Sequence, residues 1–400
     1  MRKIPLLIAL FLGLATGLSG TAFAQQVPEG YAPAQTYGFA VKKPIIAGAC
    51  HFCPWGALAD VVKDAMKSYG WDIQECLNCS GANSIRTPGR NEIPPLRTAG
   101  QVASGTPPPP YAKVDFGATS PGNLYDAYHG LGQFAADGPG TYKHLRLVVR
   151  VDQPSYFVVA VKESLGITDL AQIKARRIPV KINSSGVEGD KVLEYYGLTK
   201  AVVESFGGTG GLAPPTAAGG RGAGGGDAAA LDAANAPAAG RGGRGPAAPL
   251  PPNLSGRPRT VPAEFDVYLY SNAVMANNPE SNLMYQVTQA QRLVFLQLPD
   301  DLVAKLAEWP QERVVMPQAY FVGVEKDIRT VGRNGQVVYV RDDAPEQFSY
   351  DLAKAMNEKK ALLKYKVLPF SYDPANATNV RDVPLAPGAA RYYREVGYIK

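Results

Sequence analysis

From residue 43 onward, short apolar runs alternate with amphipathic stretches. "PIIAGA" predicts a buried strand. "PWGALADVVKDAMKSYG" predicts an amphipathic helix with Pro54 in its first turn and Gly70 just past its end. "WDIQECLNC" predicts a second strand running into the helix start "SGANSIR", and "KVDFGATS" a third strand before the short helix "GNLYDAYHG". Strands separated by helices in this way imply parallel sheet with crossover helices. "HLRLVVRVDQPSYFVVAVKES" supplies two β-rich runs that suit a crossing into a second lobe, where "ITDLAQIKARRIPVKINSSGVEGDKVLEYYGL" repeats the helix–strand–loop–helix theme. "AEFDVYLYSNAV" and "RLVFLQLP" add strands before the helix "DDLVAKLAEW". After "RVVMPQAYFVG", the run "RTVGRNGQVVYVRDD" reads as a hairpin turning at "RNGQ", followed by the helix "PEQFSYDLAKAMNEKKALL". An open α/β fold in two lobes accounts for this order. The predicted division is residues 43–150 with 315–400 in lobe 1 and 151–314 in lobe 2, hinged on strands near 146–160 and 310–325.

The periodicity fails in three places. Residues 87–112 are rich in proline, and residues 207–260 are dominated by Gly, Ala, Pro and Arg. Neither composition buries enough apolar surface to offset the entropy of ordering, so both are expected to be flexible insertions. The third place is residues 1–24, where "MRK", an apolar stretch and "AFA" before Gln25 form the pattern of a cleavable signal peptide. The apolar stretch is short for a membrane span, which needs roughly 20 residues. A soluble, exported, periplasmic protein is therefore expected, an uncleaved N-terminal anchor being the alternative. A lipid anchor is not expected, because the first cysteine is Cys50.

The formal charge of +6 is scattered, and much of it is arginine in the low-complexity stretch. That distribution does not argue for nucleic acid, and the "RGG" repeats lack interleaved aromatics.

Ligands of open parallel sheets bind beyond the carboxyl ends of the strands, where loops lead into helices. Three such loops stand out: "GACHFCPWG", "CLNCSGANS" and "NSSGVEGD". Exposed N–H groups at helix starts favour an anion. Ser184, Ser185 and Gly186 make the clearest candidate, since glycine permits close approach and two hydroxyls add donors; an ordinary helix cap explains the same residues.

The four cysteines form two C-x-x-C pairs, Cys50 with Cys53 and Cys76 with Cys79, on the first two of these loops. Their spacing suits a zinc or iron–sulfur knuckle, a redox pair, or disulfides in an oxidising compartment. Pairing across the loops, Cys50–Cys79 with Cys53–Cys76, would staple them, although spacing alone leaves all three connectivities open. An exported metal-binding or thiol-redox protein is accordingly the alternative functional reading. His51 is either a ligand or a polar lining group, while His129 and His144 have no partner spacing. No Gly-x-Ser-x-Gly elbow, P-loop or His-Glu-x-x-His is present, and the carboxylates form no recognisable acid/base pair. No cofactor and no enzymatic activity are expected.

Several segments, in order, resemble the TAXI-type solute-binding receptors of TRAP transporters. The end "PLAPGAARYYREVGY" resembles that family's Pro-Leu-His-Pro-Gly-Ala-x-x-Tyr-Tyr-x-Glu-x-Gly terminus, with Ala386 in place of the histidine. "GACHFCPWGALAD", "CSGANSIR", "DFGATSPGNLYDAYHG", the segment from "GITDL" to "YYGL", and "MPQAYFVGVEKDIRTVG" resemble its other motifs. The resemblance implies a periplasmic binding protein type II fold, two α/β lobes joined by hinge strands around a central ligand cleft. It further implies capture of a small organic anion, of the amino acid or dicarboxylate class, and delivery to TRAP membrane subunits. Carried over by position, the pocket comprises His51 and Phe52, Ser80 and Asn83, Ser184, Ser185, Gly186 and Val187, with Ser271 and Asn272 after "FDVYLY". Val187 stands where the family has threonine, and the paired cysteines lie outside its pattern.

Overall fold

The computed structural model describes residues 27–32, 36–48, 54–103, 105–184, 186–213, 265–274, 283–308, 311–366 and 372–400. The signal-like segment and most of 207–260 lie outside them. Among the described residues the strands are β1 (Ile45–Ala47), β2 (Gln74–Glu75), β3 (Phe116–Thr119), β4 (Leu145–Lys162), β5 (Ile182–Ser184), β6 (Val267–Val274), β7 (Leu293–Phe295), β8 (Glu312–Met316) and β9 (Ile328–Arg341). They form one open sheet in the order β2-β1-β3-β9-β4-β6-β5, with β7 paired to β4 and β8 to β9. The fold is mixed α/β.

The predicted parallel units are present. β1 is parallel to both β2 and β3, and the helices α1 (Pro54–Lys67), α2 (Asn83–Gly89) and α3 (Pro121–His129) follow these three strands. β5 is parallel to β6 and is followed by α4 (Gly186–Tyr195). Between the two sets run the long strands β4 and β9, antiparallel to each other.

The second crossing strand is thus β9, at 328–341, rather than 310–325. The latter range supplies the edge strand β8, which pairs with the start of β9. The expected hairpin at "RNGQ" is absent as well, because β9 runs on through Arg333–Gln336 while pairing with β4. A long partner on one side supplies ladder bonds that a local turn would forgo.

Alternation along β4 explains the core. Phe157, Val159 and Val161 enter one cluster with Ile182, Val192, Leu193 and Leu269; Tyr156, Val158 and Ala160 enter another with Tyr268, Tyr270 and Phe321. Nearer its start, Val149 and Val151 pack with Phe116, Val338 and Phe348, while Leu145 and Leu147 pack with Tyr142, Val337 and Tyr339. A strand covered on both faces reads as a nearly unbroken apolar run, as "LRLVV" and "YFVVAV" do. Met316, Tyr320, Phe321, Val324 and Ile328 belong to the cluster around Tyr156 and Tyr268. Helices α5 (Glu346–Glu358) and α6 (Pro387–Glu395) pack beside β1, β3 and the first part of β4 through Phe348, Leu352, Ala389 and Tyr393.

The two low-complexity stretches differ from expectation where they are described. Thr87, Pro88 and Gly89 are buried in α2, the Asn78 amide donates to the Pro95 carbonyl, and Arg97 Nη1 donates to the Thr106 carbonyl at 2.8 Å. Proline runs can follow the surface of a fold without needing ladder partners. In the other stretch, Ile182 N–H donates to the Thr209 carbonyl at 2.8 Å and Thr209 N–H to the Val180 carbonyl at 2.9 Å, so this chain lies along β5. Among the described residues, no helix is long and apolar enough to cross a membrane.

Asp115 ties β1 to the segment before β3. Its Oδ2 accepts the Ile45 N–H at 2.8 Å, yet burial pushes the carboxyl up to about 6; the Ile45 donor and Arg341 pull it down in part, and Asp343 pushes it up. The folded state therefore holds a proton that the unfolded chain releases near pH 4. The resulting stabilisation is complete below about pH 4 and is lost as pH rises through 6. A rise of about two pKa units corresponds to about 3 kcal/mol, reduced to about 2 by the carboxyl's remaining solvent contact. Asp115→Asn removes this dependence. Between pH 4 and 7, the stability of the variant relative to the parent should rise by about 2 kcal/mol, read by urea denaturation at each pH. Parallel curves would show that Asp115 titrates normally.

Candidate functional site

The register places the carboxyl ends of the two parallel sets opposite each other. β3 runs antiparallel to β9, which runs antiparallel to β4, so β1, β2, β3 and β4 share one direction. β6 and β5 run the opposite way. At the end of β3, Thr119 pairs with Val337, which pairs with Arg150 of β4. At the end of β6, Val274 pairs with Ser155 of β4. Roughly 15 Å of strand, at about 3.3 Å per residue, thus separates two facing rows of strand ends. Among the described strands, only β4 and β9 bridge that gap.

On the first side, the β1 and β2 loops are neighbours, as adjacent parallel strands require. Gly48 N–H donates to the Cys79 carbonyl at 2.8 Å, and Cys76 N–H to the Ile46 carbonyl at 2.9 Å. Ser80 and Asn83 sit half-buried at the start of α2, with Asn83 N–H donating to the Ser80 carbonyl at 3.2 Å. The third loop joins them. Ser84 Oγ lies 3.2 Å from Thr119 Oγ1, and the Asn123 amide donates to Thr119 Oγ1 at 3.3 Å. Ser120 caps α3 by accepting the Asn123 N–H at 3.2 Å, while Gln133 donates to Asn123 Oδ1 at 3.2 Å. These hydroxyls and amides escaped the sequence reading; the signal for them is the small, polar "TSPGN" at a strand end ahead of a helix.

On the second side, Ser184, Gly186 and Ser271 come together. A Cβ placed on Gly186 would lie 2.2 Å from Ser271 Oγ and 2.9 Å from Glu188 Oε2, and Gly186 has a φ of +79°. A Cβ on Gly189 would lie 2.2 Å from Ser184 Oγ, so the first turn of α4 sits directly against that hydroxyl. Ser184 Oγ is buried and has no hydrogen-bond partner among the described residues. Val187 is exposed on the same turn. Glu188 is buried in the first turn of α4, and its Oε1 accepts from Gln311 Nε2 at 2.6 Å. A carboxylate there offsets part of the positive end of α4, a feature the search for anion-binding helix starts overlooked.

Cys50, His51, Phe52, Cys53 and Ser185 lie outside the described residues, as does the side chain of Asn272. Cys76 and Cys79 are bonded to each other, with their Cα atoms 5.4 Å apart, which overturns the pairing Cys50–Cys79 with Cys53–Cys76. The tight turn between β2 and α2, closed by Cys79 N–H on the Cys76 carbonyl at 3.2 Å, brings the two sulfurs within bonding reach. Sulfurs joined in this way do not ligate a metal, and both cysteines are fully buried, out of reach of a thiol partner. Among the described residues, no group of three or more His, Cys, Asp or Glu side chains is placed to hold a metal ion.

Residues 264–397 match the model of the NMT1-like family. No curated protein matches the chain. Among solved structures it is similar to the periplasmic binding protein BugD, at 13% identity over 89% of this chain and 93% of that one, with a TM-score of 0.37. It is similar to a TctC solute binding protein from Polaromonas, at 12% identity over 89% and 99%, TM-score 0.38. It is also similar to MatC from Rhodopseudomonas palustris with bound malate, at 12% identity over 88% and 96%, TM-score 0.36.

Proposed function

We propose that this protein is a non-enzymatic extracytoplasmic receptor that captures a small organic solute between two lobes. The observation that carries the reading is the pair of facing strand ends, Thr119 on one side and Ser271 to Val274 on the other, which among the described strands only β4 and β9 join. Two lobes linked by two strands can close by small backbone changes in those strands, which is hinge motion. In this reading β1 to β3 with α5 and α6 form one lobe, β5 and β6 with α4 form the other, and residues 316–328 belong with the second.

Polar groups stand at the strand ends on both sides: Ser80, Asn83 and Thr119 on the first, Ser184, Ser271 and the backbone of Gly186 on the second. His51, Phe52, Ser185, Val187 and Asn272 complete the set that the family resemblance implies, to which Thr119 is an addition. An organic anion of the amino acid or dicarboxylate class suits the amide and hydroxyl donors, and delivery to TRAP membrane subunits follows from the same resemblance. The signal-like residues 1–24 support export to the periplasm.

The test is a thermal shift screen of the mature, oxidised protein against small organic acids and amino acids. A ligand at 100 times its Kd adds about 2.7 kcal/mol, which should raise Tm by a few degrees. A panel in which no compound shifts the protein would sink the receptor reading.

A further inference from the structure

The floor of the crevice carries a feature that neither the family resemblance nor the loops account for. Where β4 and β9 cross the gap, Val151 pairs with Gln336 and Pro154 with Asn334, so Asp152 and Gln153 face the single residue Gly335. This is a β-bulge, a device found preferentially beside functional sites because it re-aims side chains. Gly335 adopts a φ of +103°, and a Cβ there would lie 2.8 Å from the Val151 carbonyl oxygen. On one side of the bulge the strands are apolar, with Val149 and Val151 on β4 and Val338 and Val340 on β9 in one cluster, and beyond it Tyr156, Val158 and Ile328 enter another. The apolar run is interrupted at the crossing by two glutamines, Gln153 at 6% exposure and Gln336 at 2%.

The two amides touch: Gln336 Nε2 donates to Gln153 Oε1. Their remaining ends, Gln153 Nε2 and Gln336 Oε1, are buried and have no hydrogen-bond partner among the described residues. Asp152 beside them is engaged by Asn376 Nδ2 at 3.2 Å, so the short helix Pro374–Ala377 answers the carboxylate and leaves the amides. A buried amide with an unmet donor or acceptor is costly, whereas an apolar pair in its place is close to neutral. Such a pair is therefore expected to answer to something that enters the crevice.

The geometry constrains what that is. One contact between two amides consumes one oxygen and one nitrogen, so one oxygen and one nitrogen are left over whichever way the amides are turned. The pair always offers one donor beside one acceptor.

We infer that Gln153 and Gln336 form a ligand-reading floor whose complement is a neutral edge with an acceptor next to a donor, a carboxamide or lactam edge. The inference rests on the receptor reading and refines its solute class. A bare carboxylate, with acceptors only, satisfies Gln153 or Gln336 but sets an oxygen against an oxygen at the other. A carboxamide satisfies both.

The test compares matched pairs on the mature protein by titration calorimetry, succinamate against succinate and benzamide against benzoate. The amide of a pair should bind at least tenfold tighter than the acid. In the double variant Gln153→Leu/Gln336→Leu, whose apolar pair suits a buried strand crossing, that ratio should fall to about one. Equal or tighter binding of the acids by the parent protein overturns the inference, as does a double variant that keeps the tenfold ratio. Should the double variant not fold, the ratio measured on the parent protein decides. If other organic acids shift the protein while neither pair binds, the floor assignment fails and the receptor reading stands. If nothing in the wider screen binds, both fail.

Discussion

Gly48→Ala should lower the stability of the protein by about 4 kcal/mol, the sum of a strained positive φ and an overpacked contact. Gly48 ends β1 with a φ of +92°, and a Cβ built on it would lie 2.0 Å from the Ala118 carbonyl oxygen and 2.9 Å from the carbonyl carbon. Those atoms belong to the backbone of β3, which is held by β1 on one side and β9 on the other, so they have nowhere to move. The loss should appear as a lower urea midpoint with an unchanged slope. A loss below about 1 kcal/mol would mean that β1 and β3 do not approach this closely at the lip of the crevice.

Gly186→Val is expected to remove ligand response and to destabilise by about 3 kcal/mol, because a β-branched residue at positive φ is strained. Here the collision is with Ser271 Oγ and Glu188 Oε2, both on side chains, so neighbours can shift and the fold should survive. What does not survive is the spacing between the β5 and β6 loops, on which capture of a solute depends. The variant should show a cooperative melt but no shift with any ligand that stabilises the parent protein by about 2.7 kcal/mol. A ligand shift of the parent size would place the binding site elsewhere.

How much of this was legible beforehand depended on whether a signal was local. β1 with α1, and β5 with α4, were readable because an apolar run followed by a small or polar loop and an amphipathic helix encodes its own conformation. Pro54, Gly70 and the "NSSG" turn mark element ends by backbone preference alone. The closeness of the first two loops also followed, since it needs only that consecutive parallel strands be neighbours. The second crossing strand was misplaced for a physical reason. "RNGQ" has good turn chemistry, and only the pairing of β9 with β4, between residues far apart in sequence, overrides it. The cysteine pairing was likewise open, because the closure of Cys76 on Cys79 depends on how tightly the chain turns between β2 and α2.

By itself the sequence determined the class of fold, the apparent export signal, and which loops end in donors, because periodicity, apolar runs and turn residues act over a few neighbouring positions. Only the tertiary structure decided that the two sets of strand ends face each other, that Thr119 and Asn123 join Ser84 at the start of α2, and that Gln153 meets Gln336 across a bulge. These are matters of register between distant segments, and register is chosen by the packing of whole strands against both faces of the core.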